Sequence, residues 1–368
     1  MDLRRDPRIV LTLDAGGTNL VFGAMRGGQE ILEPLSKPSN GHDLALCLEA
    51  ISAGFRDVKS QLSEAPVAIS FAFPGPSDFP AGIIGDLFNL PCFRGGIALG
   101  PMLEDQFGVP VFINNDGDLF AYGEAMAGLL PEINRALADA GSPKRFRNLL
   151  GVTLGTGFGG GLVCDGRLYL GDNGAGAEIW SLRNRLEPGA TAEEGVSIRA
   201  VRRVYAEQAG IPLNGCPEPR DIHRIARGER EGNVAAALEA FRQLGVVTGD
   251  ALAQATSLLD ALVVVGGGLS GAADLVLPAL VQEMNSPIRC AVGATCPRME
   301  VTAFNLENPT ERAAFLAGKA TQVVVPGSGR SVAYDPLKRV GVGLSRLGTS
   351  RATALGAYAF ALAELDRR

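Results

Sequence analysis

The sequence predicts a two-domain α/β protein in which each half opens with a strand, a glycine-rich turn and a returning strand. The chain has 368 residues, which is more than a single hydrophobic core usually supports. The first half opens with the apolar run 9–13 and the second half with the apolar run 149–154. Because glycine and threonine follow both runs and another apolar run comes next, the two halves are predicted to share one structure.

The other elements follow from their hydrophobic patterns. One helix is predicted by apolar residues spaced three and four apart, which places them on one face: Leu44, Leu48, Ile51, Phe55, Val58 and Leu62. A third strand is predicted at 31–35, buried strands at 67–73, 109–113 and 262–265, and long helices at about 197–208 and 233–259. The first domain is expected over residues 1–117, completed by a closing Ala-rich helix within 349–368. The second is expected over 118–348, with a β-hairpin insertion at about 297–346.

Charge and composition exclude several classes of function. The net charge is −6 and no long Lys/Arg run exists, so a nucleic-acid partner is not expected. The basic residues Arg199, Arg202 and Arg203 are interpreted as a solvated helix face. No apolar run is long enough to cross a membrane, and the N-terminus lacks the apolar core of a signal peptide. The six cysteines form no CxxC pair, which predicts reduced thiols and a cytoplasmic protein.

The first glycine-rich turn, at residues 14–19, has the residue types of a phosphate site. Glycines let backbone N–H groups approach a phosphate closely, and the Thr and Asn side chains add hydrogen-bond donors. The residues expected to contact a nucleotide here are Gly16, Gly17, Thr18 and Asn19. The Asp14 carboxylate can hold Mg²⁺, directly or through water. The alternative is an ordinary hairpin turn that begins with an aspartate.

Two further glycine clusters follow strands of the second half. The cluster at residues 155–161 occupies the matching turn, and its expected phosphate contacts are Gly155, Thr156, Gly157 and Gly159. The cluster Gly266, Gly267 and Gly268 follows an apolar strand, where glycines let a base or ribose approach the backbone. A cleft between the halves would then hold the triphosphate.

The segment Asn114-Asn115-Asp116 also follows a strand. An Asn-Asp pair offers donors and acceptors to sugar hydroxyls, and Asp116 within reach of a hydroxyl can take its proton during attack on phosphorus. The alternative is an Asx-type turn that caps the next helix.

A second candidate for sugar binding is Glu178, which lies in a Gly/Ala-rich loop and can accept hydrogen bonds from two hydroxyls. The alternative is an ordinary surface glutamate. Trp180, the only Trp, has two interpretations: it stacks on a sugar face or it fills a gap in the core.

Six motifs resemble the ROK group (repressors, open reading frames and sugar kinases) of the actin/hexokinase/Hsp70-type ATPases. They are DAGGTN at 14–19, FPGP at 73–76 with NLP at 89–91, INNDGDLFAYGE at 113–124, LGTGFGGGLVCDGRLYLG at 154–171, VVVGGGLS at 263–270 and TALGAYAFA at 353–361. The resemblance covers nearly the whole chain. It implies a two-domain actin-like ATPase (ribonuclease H-like) fold with a cleft between the domains.

The same resemblance implies a homodimeric, ATP- and Mg²⁺-dependent sugar kinase. It makes Asp116 the general base, Asn115 a sugar ligand, and Asn89 and Glu193 further sugar contacts. The family pattern ExGH followed by CxCGxxGC binds a structural zinc, but here Ile-Trp-Ser follows Glu178 and no Cys cluster comes after it. No zinc site is therefore predicted.

Two classes of function remain open from the sequence. The first is a kinase that makes a hexose phosphate, with glucose as first choice and fructose, mannose or an N-acetylhexosamine as alternatives. The second is a non-catalytic sugar-binding regulator, which the missing ExGH histidine suggests. The intact Asp116 favours the kinase, because a binding protein needs no base.

Overall fold

The structure is a computed structural model, and it describes residues 3–75, 77–87 and 90–368. The strands are β1 (Val10–Ala15), β2 (Asn19–Arg26), β3 (Gln29–Glu30), β4 (Leu35–Pro38), β5 (Ala68–Ala72), β6 (Ser77–Asp78), β7 (Ile83–Ile84), β8 (Val111–Asn114), β9 (Leu149–Leu154), β10 (Phe158–Cys164), β11 (Arg167–Leu168), β12 (Leu262–Gly266), β13 (Pro287–Arg289), β14 (Thr295–Pro297), β15 (Thr302–Asn305), β16 (Thr321–Val324), β17 (Ser331–Tyr334) and β18 (Arg339–Leu344). The α-helices are α1 (Leu44–Ser60), α2 (Leu99–Phe107), α3 (Asp116–Ala127), α4 (Leu129–Asp139), α5 (Ile198–Ala209), α6 (Pro219–Ala226), α7 (Val234–Leu259), α8 (Ala273–Met284), α9 (Pro309–Ala317) and α10 (Thr349–Leu365). Short 3₁₀ helices lie at Leu3–Arg5, Ile179–Ser181, Ala192–Glu194, Leu213–Gly215, Gly268–Ala272 and Ala291–Gly293.

The chain divides into two compact units. Unit 1 comprises Met1–Met126, Arg167–Gly176 and Leu347–Arg368, and unit 2 comprises Ala127–Gly166 and Ala177–Arg346.

The sheet of unit 1 joins a hairpin to parallel strands. Its strands pair in the order β3-β2-β1-β5-β8, and β4 also pairs with β2. Strands β1 and β2 are antiparallel, whereas β1, β5 and β8 are parallel. In this register Asp14 lies beside Ala72, and Ala72 lies beside Asn114. The carboxyl ends of the three parallel strands therefore meet at one edge of the sheet, where α/β proteins usually bind ligands.

Unit 1 has a phenylalanine-rich core under helix α1. The predicted helical pattern is confirmed by α1, whose side chains Ile51, Phe55 and Val58 are buried. The Phe55 ring packs edge-on against Phe22, with ring centroids 5.2 Å apart, which is a favourable arrangement of aromatic quadrupoles. This packing anchors the hairpin that carries the first glycine-rich turn.

The sheet of unit 2 repeats the plan of a hairpin followed by parallel strands. The strands pair in the order β10-β9-β12-β18-β15. Strands β9 and β10 are antiparallel, and β9, β12, β18 and β15 are parallel. Strand β12 is buried along its whole length, as expected for a parallel strand covered on both faces. The second glycine-rich turn thus joins β9 to β10, just as the first joins β1 to β2.

The segment 297–346 has strands at both ends that belong to this sheet. β15 and β18 pair directly with each other, and the antiparallel hairpin β16–β17 lies in the chain between them. Segment 287–297 forms another antiparallel hairpin, β13–β14, in which Cys290 and Cys296 are joined by a disulfide. The expectation of reduced thiols is therefore wrong for these two cysteines, because the hairpin brings their Cα atoms within 6.2 Å.

Candidate active site

The first glycine-rich turn is a tight β-hairpin connection in unit 1. The Gly16 N–H donates to the Asn19 carbonyl oxygen at 3.0 Å, and a Cβ at Gly16 would lie 2.9 Å from that same oxygen. Gly16 therefore shapes the turn. Ser39, the residue directly after β4, supports the turn, because its Oγ donates to the Gly17 carbonyl oxygen at 2.6 Å. Gly17, Thr18 and Asn19 are exposed, so their backbone and side chains are accessible to a ligand.

Two carboxylates interact at the edge of the unit 1 sheet. Asp14 and Asn114 are two strands apart in register, which corresponds to about 10 Å between their Cα atoms, and Asp116 follows two residues later. The pKa of Asp14 is raised above its ordinary value, first because neighbouring protein atoms desolvate its carboxylate and then because Asp116 repels its charge. Asp14 is still exposed on the loop side. A pair of repelling carboxylates open to solvent suits a divalent cation.

The raised pKa of Asp14 makes a prediction about stability. The folded state binds the Asp14 proton more tightly than the unfolded chain does, so the free energy of unfolding falls as pH rises through that pKa. Asp14→Asn removes the ionised carboxylate that destabilises the folded state, so we expect the melting temperature at neutral pH to rise. We also expect the variant to lose nucleotide-dependent activity. The gain should shrink as the pH falls through that pKa and vanish below about pH 3, where the carboxyl is neutral in both states.

Thermal melting of wild type and Asp14→Asn across this pH range measures the effect. The control is a comparison of the double variant Asp14→Asn/Asp116→Asn with the two single variants. Removing the Asp116 charge lowers the pKa of Asp14, so the gain in melting temperature of the double variant should be smaller than the sum of the two single gains. An Asp14→Asn variant that melts below wild type at neutral pH would contradict this interpretation.

Asn115 and Asp116 lie where strand β8 passes into helix α3. Asn115 Oδ1 accepts a hydrogen bond from the Asp118 N–H at 2.7 Å, so Asn115 caps the helix. The interpretation as a helix-capping turn is thus correct for this side-chain oxygen, and its Nδ2 group is the part that can donate to a sugar. Asp116 is the first residue of α3 and is exposed.

Helix α3 is held in place by a close contact with α10, also in unit 1. A Cβ at Gly123 would lie 2.0 Å from the Ala352 carbonyl oxygen, and one at Gly356 would lie 1.9 Å from the Leu119 carbonyl oxygen. The two helix backbones can approach this closely only because both positions are glycine. The closing helix therefore fixes the helix that begins with Asp116.

The second glycine-rich turn lies in unit 2 against the start of helix α5. The Gly155 N–H donates to the Gly157 carbonyl oxygen at 3.0 Å, and the Ile198 N–H of α5 donates to the Gly155 carbonyl oxygen at 2.8 Å. Thr156 is exposed at the tip of the turn. This contact places the positive end of a 12-residue helix dipole at the turn, which favours negatively charged ligands such as phosphates.

The glycine cluster after β12 supports the second turn from behind. Gly267 has a φ of +86°, and a Cβ there would lie 2.3 Å from the Leu154 carbonyl oxygen. Gly268 differs, because no atom lies within 4 Å of a Cβ built there and the residue is exposed. Gly267 therefore brings the end of β12 against the end of β9, and Gly268 presents open backbone.

Glu193 contacts the second turn directly. Its Oε2 accepts from the Phe158 N–H at 3.0 Å, and its Oε1 accepts from Arg199 Nη2 at 3.0 Å. Arg199 also reaches the Thr156 carbonyl oxygen at 3.4 Å. The interpretation of Arg199 as part of a solvated helix face did not include this contact. The sequence signal was its place in the first turn of α5, five residues after Glu194 and six after Glu193.

Glu178 is exposed and lies in unit 2, two residues before Trp180. The Trp180 Nε1–H donates to Glu178 Oε2. The Trp180 side chain is 42% exposed, so the alternative that it fills a core gap is wrong. The core position is taken by Ile179, which is 4% exposed.

Asn89 lies outside the described residues, as does Pro76 of the FPGP motif. Within residues 3–75, 77–87 and 90–368, no three or more His, Cys, Asp or Glu side chains are grouped closely enough to hold a metal ion. The absence of a zinc site stays a prediction. Across the same part of the chain, no helix is both long and apolar enough to span a membrane.

The ROK family model matches residues 10–319. The chain belongs to the ROK family. Among solved structures, the glucokinase of Parabacteroides distasonis is 55% identical, with a TM-score of 0.91 over 99% of both chains. This ROK similarity confirms the predicted two-domain actin-like ATPase fold.

Two curated sugar kinases are also similar to this chain. A glucokinase of Halalkalibacterium halodurans is 27% identical over 301 residues, which are 74% of this chain and 84% of that protein. An N-acetyl-D-glucosamine kinase of Vibrio vulnificus is 32% identical over 174 residues, 47% of this chain and 52% of that protein. The prediction of an ATP-dependent sugar kinase is confirmed by these relatives together with the solved structure.

Proposed function

We propose that this ROK kinase transfers the γ-phosphoryl group of ATP to a hydroxyl of glucose, giving glucose 6-phosphate. The observation that carries the proposal is the exposed Asp116 carboxylate at the start of α3, beside Asp14 and next to the donor group of Asn115. The 55% identity to a glucokinase over 99% of both chains supports glucose as the sugar.

The chemistry that these residues can perform follows from their atoms. Asp116 accepts the proton of the attacking hydroxyl as its oxygen bonds to phosphorus. Asn115 donates from Nδ2 to a neighbouring hydroxyl, because its Oδ1 is used by the helix cap. Glu178 accepts hydrogen bonds from further hydroxyls. Asn89 and Glu193 are also proposed to contact sugar hydroxyls. Glu193 already accepts a hydrogen bond from the Phe158 N–H with Oε2 and one from Arg199 with Oε1.

The glycine-rich turns are proposed to contact the phosphates of ATP. Gly17, Thr18 and Asn19 of the first turn and Thr156, Gly157 and Gly159 of the second are proposed to present backbone and side-chain donors to phosphates. Gly16 and Gly155, whose N–H groups are used within the turns, are proposed to let the phosphates approach the backbone. Gly266, Gly267 and Gly268 are proposed to border the adenosine. Mg²⁺ would be held by Asp14, whose repulsion with Asp116 fits a cation there, and it would neutralise phosphate charge when bound.

The assembly and location proposed for the protein are a homodimer in the cytoplasm. The homodimer is proposed because the resemblance to ROK kinases implies one. Four of the six cysteines, Cys47, Cys92, Cys164 and Cys216, carry free thiols, which is usual for cytoplasmic proteins, whereas the Cys290–Cys296 disulfide is not.

A panel of hexoses tests the proposed substrate. ADP release should be fastest, by kcat/KM, with glucose when glucose, mannose, fructose and N-acetylglucosamine are compared at equal ATP and Mg²⁺. N-acetylglucosamine is the main alternative substrate, because a kinase for that sugar is among the relatives. A higher kcat/KM with it would reassign the substrate, and no hexose-dependent ADP release at all would favour the non-catalytic regulator.

A further inference from the structure

Trp180 is a large aromatic side chain that the fold leaves open to solvent. It is 42% exposed and is the only Trp of the chain. An indole has a broad apolar face and a polar N–H edge, and such side chains are used where a ligand has both kinds of surface. Trp180 belongs to the short 3₁₀ helix Ile179–Ser181, next to Glu178.

The backbone that carries Trp180 is fixed to the strand of the second glycine-rich turn. Ile179 is buried in the core of unit 2. At Gly160 of β10, a Cβ would lie 2.4 Å from the Ala177 carbonyl oxygen and 2.9 Å from Ile179, so the segment packs directly on that strand. The Ala192 N–H donates to the Leu182 carbonyl oxygen at 2.6 Å on the other side. The exposed ring is therefore held by the fold and does not belong to a free loop.

The indole edge is tied to a carboxylate. Trp180 Nε1–H donates to Glu178 Oε2, and Ser181 Oγ donates to the Glu178 carbonyl oxygen at 2.8 Å. A hydrogen bond to an ionised carboxylate is stronger than one between neutral groups, so it fixes the orientation of both side chains. Glu178 keeps lone pairs for further donors, because an ionised carboxylate can accept about four hydrogen bonds.

A flat apolar face beside an oriented carboxylate matches the chemistry of a pyranose. The ring carbons of a pyranose in its chair form present apolar C–H faces, and its hydroxyls donate from the edge. A gluco-configured ring has its ring hydroxyls equatorial and therefore offers the flattest faces. The pairing of Trp180 with Glu178 can contact both kinds of surface at once.

We propose that Trp180 determines sugar affinity in this kinase, stacking on the pyranose ring while its N–H holds Glu178 in position to accept from ring hydroxyls. This inference rests on the proposed hexose kinase activity and deepens it. It assigns the substrate class as gluco-configured pyranoses. It also assigns to a Trp side chain the task of orienting the sugar-binding carboxylate.

Kinetics of two variants separate the ring face from the N–H group. Trp180→Leu removes both, and we expect the KM for glucose to rise about tenfold. Trp180→Phe keeps an aromatic face but loses the hydrogen bond to Glu178, and a rise of about threefold is expected. The KM for ATP and kcat should stay within about twofold of wild type, because neither group touches the reacting atoms.

A matched control removes another exposed aromatic side chain. Tyr334 is 52% exposed on the hairpin β16–β17, so Tyr334→Leu loses a comparable ring at a different place. Its KM for glucose should equal that of wild type. Trp180→Leu with a wild-type KM for glucose would overturn the inference. A change confined to kcat, folding or oligomeric state would overturn it too, since an interface or structural role would give that result.

Fluorescence supplies a readout that does not depend on turnover. Because Trp180 is the only Trp, its emission and its quenching by acrylamide report this position alone. Glucose without ATP should reduce acrylamide quenching, since a stacked sugar covers the ring. In Glu178→Gln the protection should require about tenfold more glucose, because the neutral amide is a weaker acceptor.

The outcomes distinguish this inference from the proposed function. If the hexose panel shows no hexose-dependent ADP release, the proposed function fails. If wild type phosphorylates glucose but saturating glucose leaves Trp180 fully quenchable, the kinase stands and the role of Trp180 is wrong. If N-acetylglucosamine, which is also gluco-configured, gives the highest kcat/KM, it replaces glucose in the titration. If mannose or fructose does, the assignment of gluco-configured pyranoses is wrong.

Discussion

Asp116→Asn is expected to reduce kcat by about 10²–10⁴-fold or more while leaving glucose binding largely intact, because the change removes the proton acceptor and keeps the size of the side chain. The fold should tolerate the substitution. The helix cap is provided by Asn115, and Asp116 itself is exposed at the first position of α3. Steady-state ADP release measures kcat, and protection of Trp180 from acrylamide measures glucose binding.

The comparison of turnover with binding decides the role of Asp116. A loss of both would mean that the variant disturbs the site, and the melting temperature then shows whether it is folded. An Asp116→Asn enzyme with near-normal kcat would show that another group accepts the proton.

Gly267→Ala is expected to have the largest effect on stability, lowering the free energy of unfolding by about 3 kcal/mol or more. A residue with a side chain is strained at a φ of +86°, and its Cβ would lie 2.3 Å from the carbonyl oxygen and 2.6 Å from the nitrogen of Leu154. Neither backbone atom can move without displacing the end of β9. Any protein that folds should also bind ATP more weakly, since Leu154 leads directly into Gly155.

The neighbouring glycine is a matched control for this prediction. Gly268→Ala adds the same methyl group one residue later, where nothing lies within 4 Å. It should melt within about 2 °C of wild type, as surface substitutions usually do. Denaturant unfolding measures both variants, and equal free energies of unfolding would contradict the close contact between Gly267 and Leu154.

Local patterns in the sequence predicted the parts of the fold that lie near each turn. The hairpins around both glycine-rich turns need only neighbouring apolar runs, and helix α1 needs only the spacing of its buried face. The predicted strand at 31–35 was misplaced. The structure has β3 just before this segment and β4 beginning at its last residue. Both strands pair with β2 in a register that local spacing does not reveal.

The candidate site was predicted in its residue types but not in its contacts. Asp14 and Asp116 are about a hundred residues apart, and only the parallel register of β1, β5 and β8 brings their charges together. The bonds from Glu193 to Phe158 and Arg199 likewise depend on where α5 begins relative to the second turn. The exposure of Trp180 follows from the burial of Ile179, and from sequence alone either residue could have faced the core.

The most direct test of the central claim is ³¹P and ¹³C NMR of wild type with ATP, Mg²⁺ and glucose labelled with ¹³C at carbon 6. Hexose phosphorylation predicts one sugar phosphate monoester for each ADP formed, and the carbon 6 resonance should split through coupling to phosphorus. The Asp116→Asn enzyme should produce neither signal over the same period. ATP converted to ADP and inorganic phosphate with an unsplit carbon 6 resonance, or ATP left unconsumed, would contradict the account.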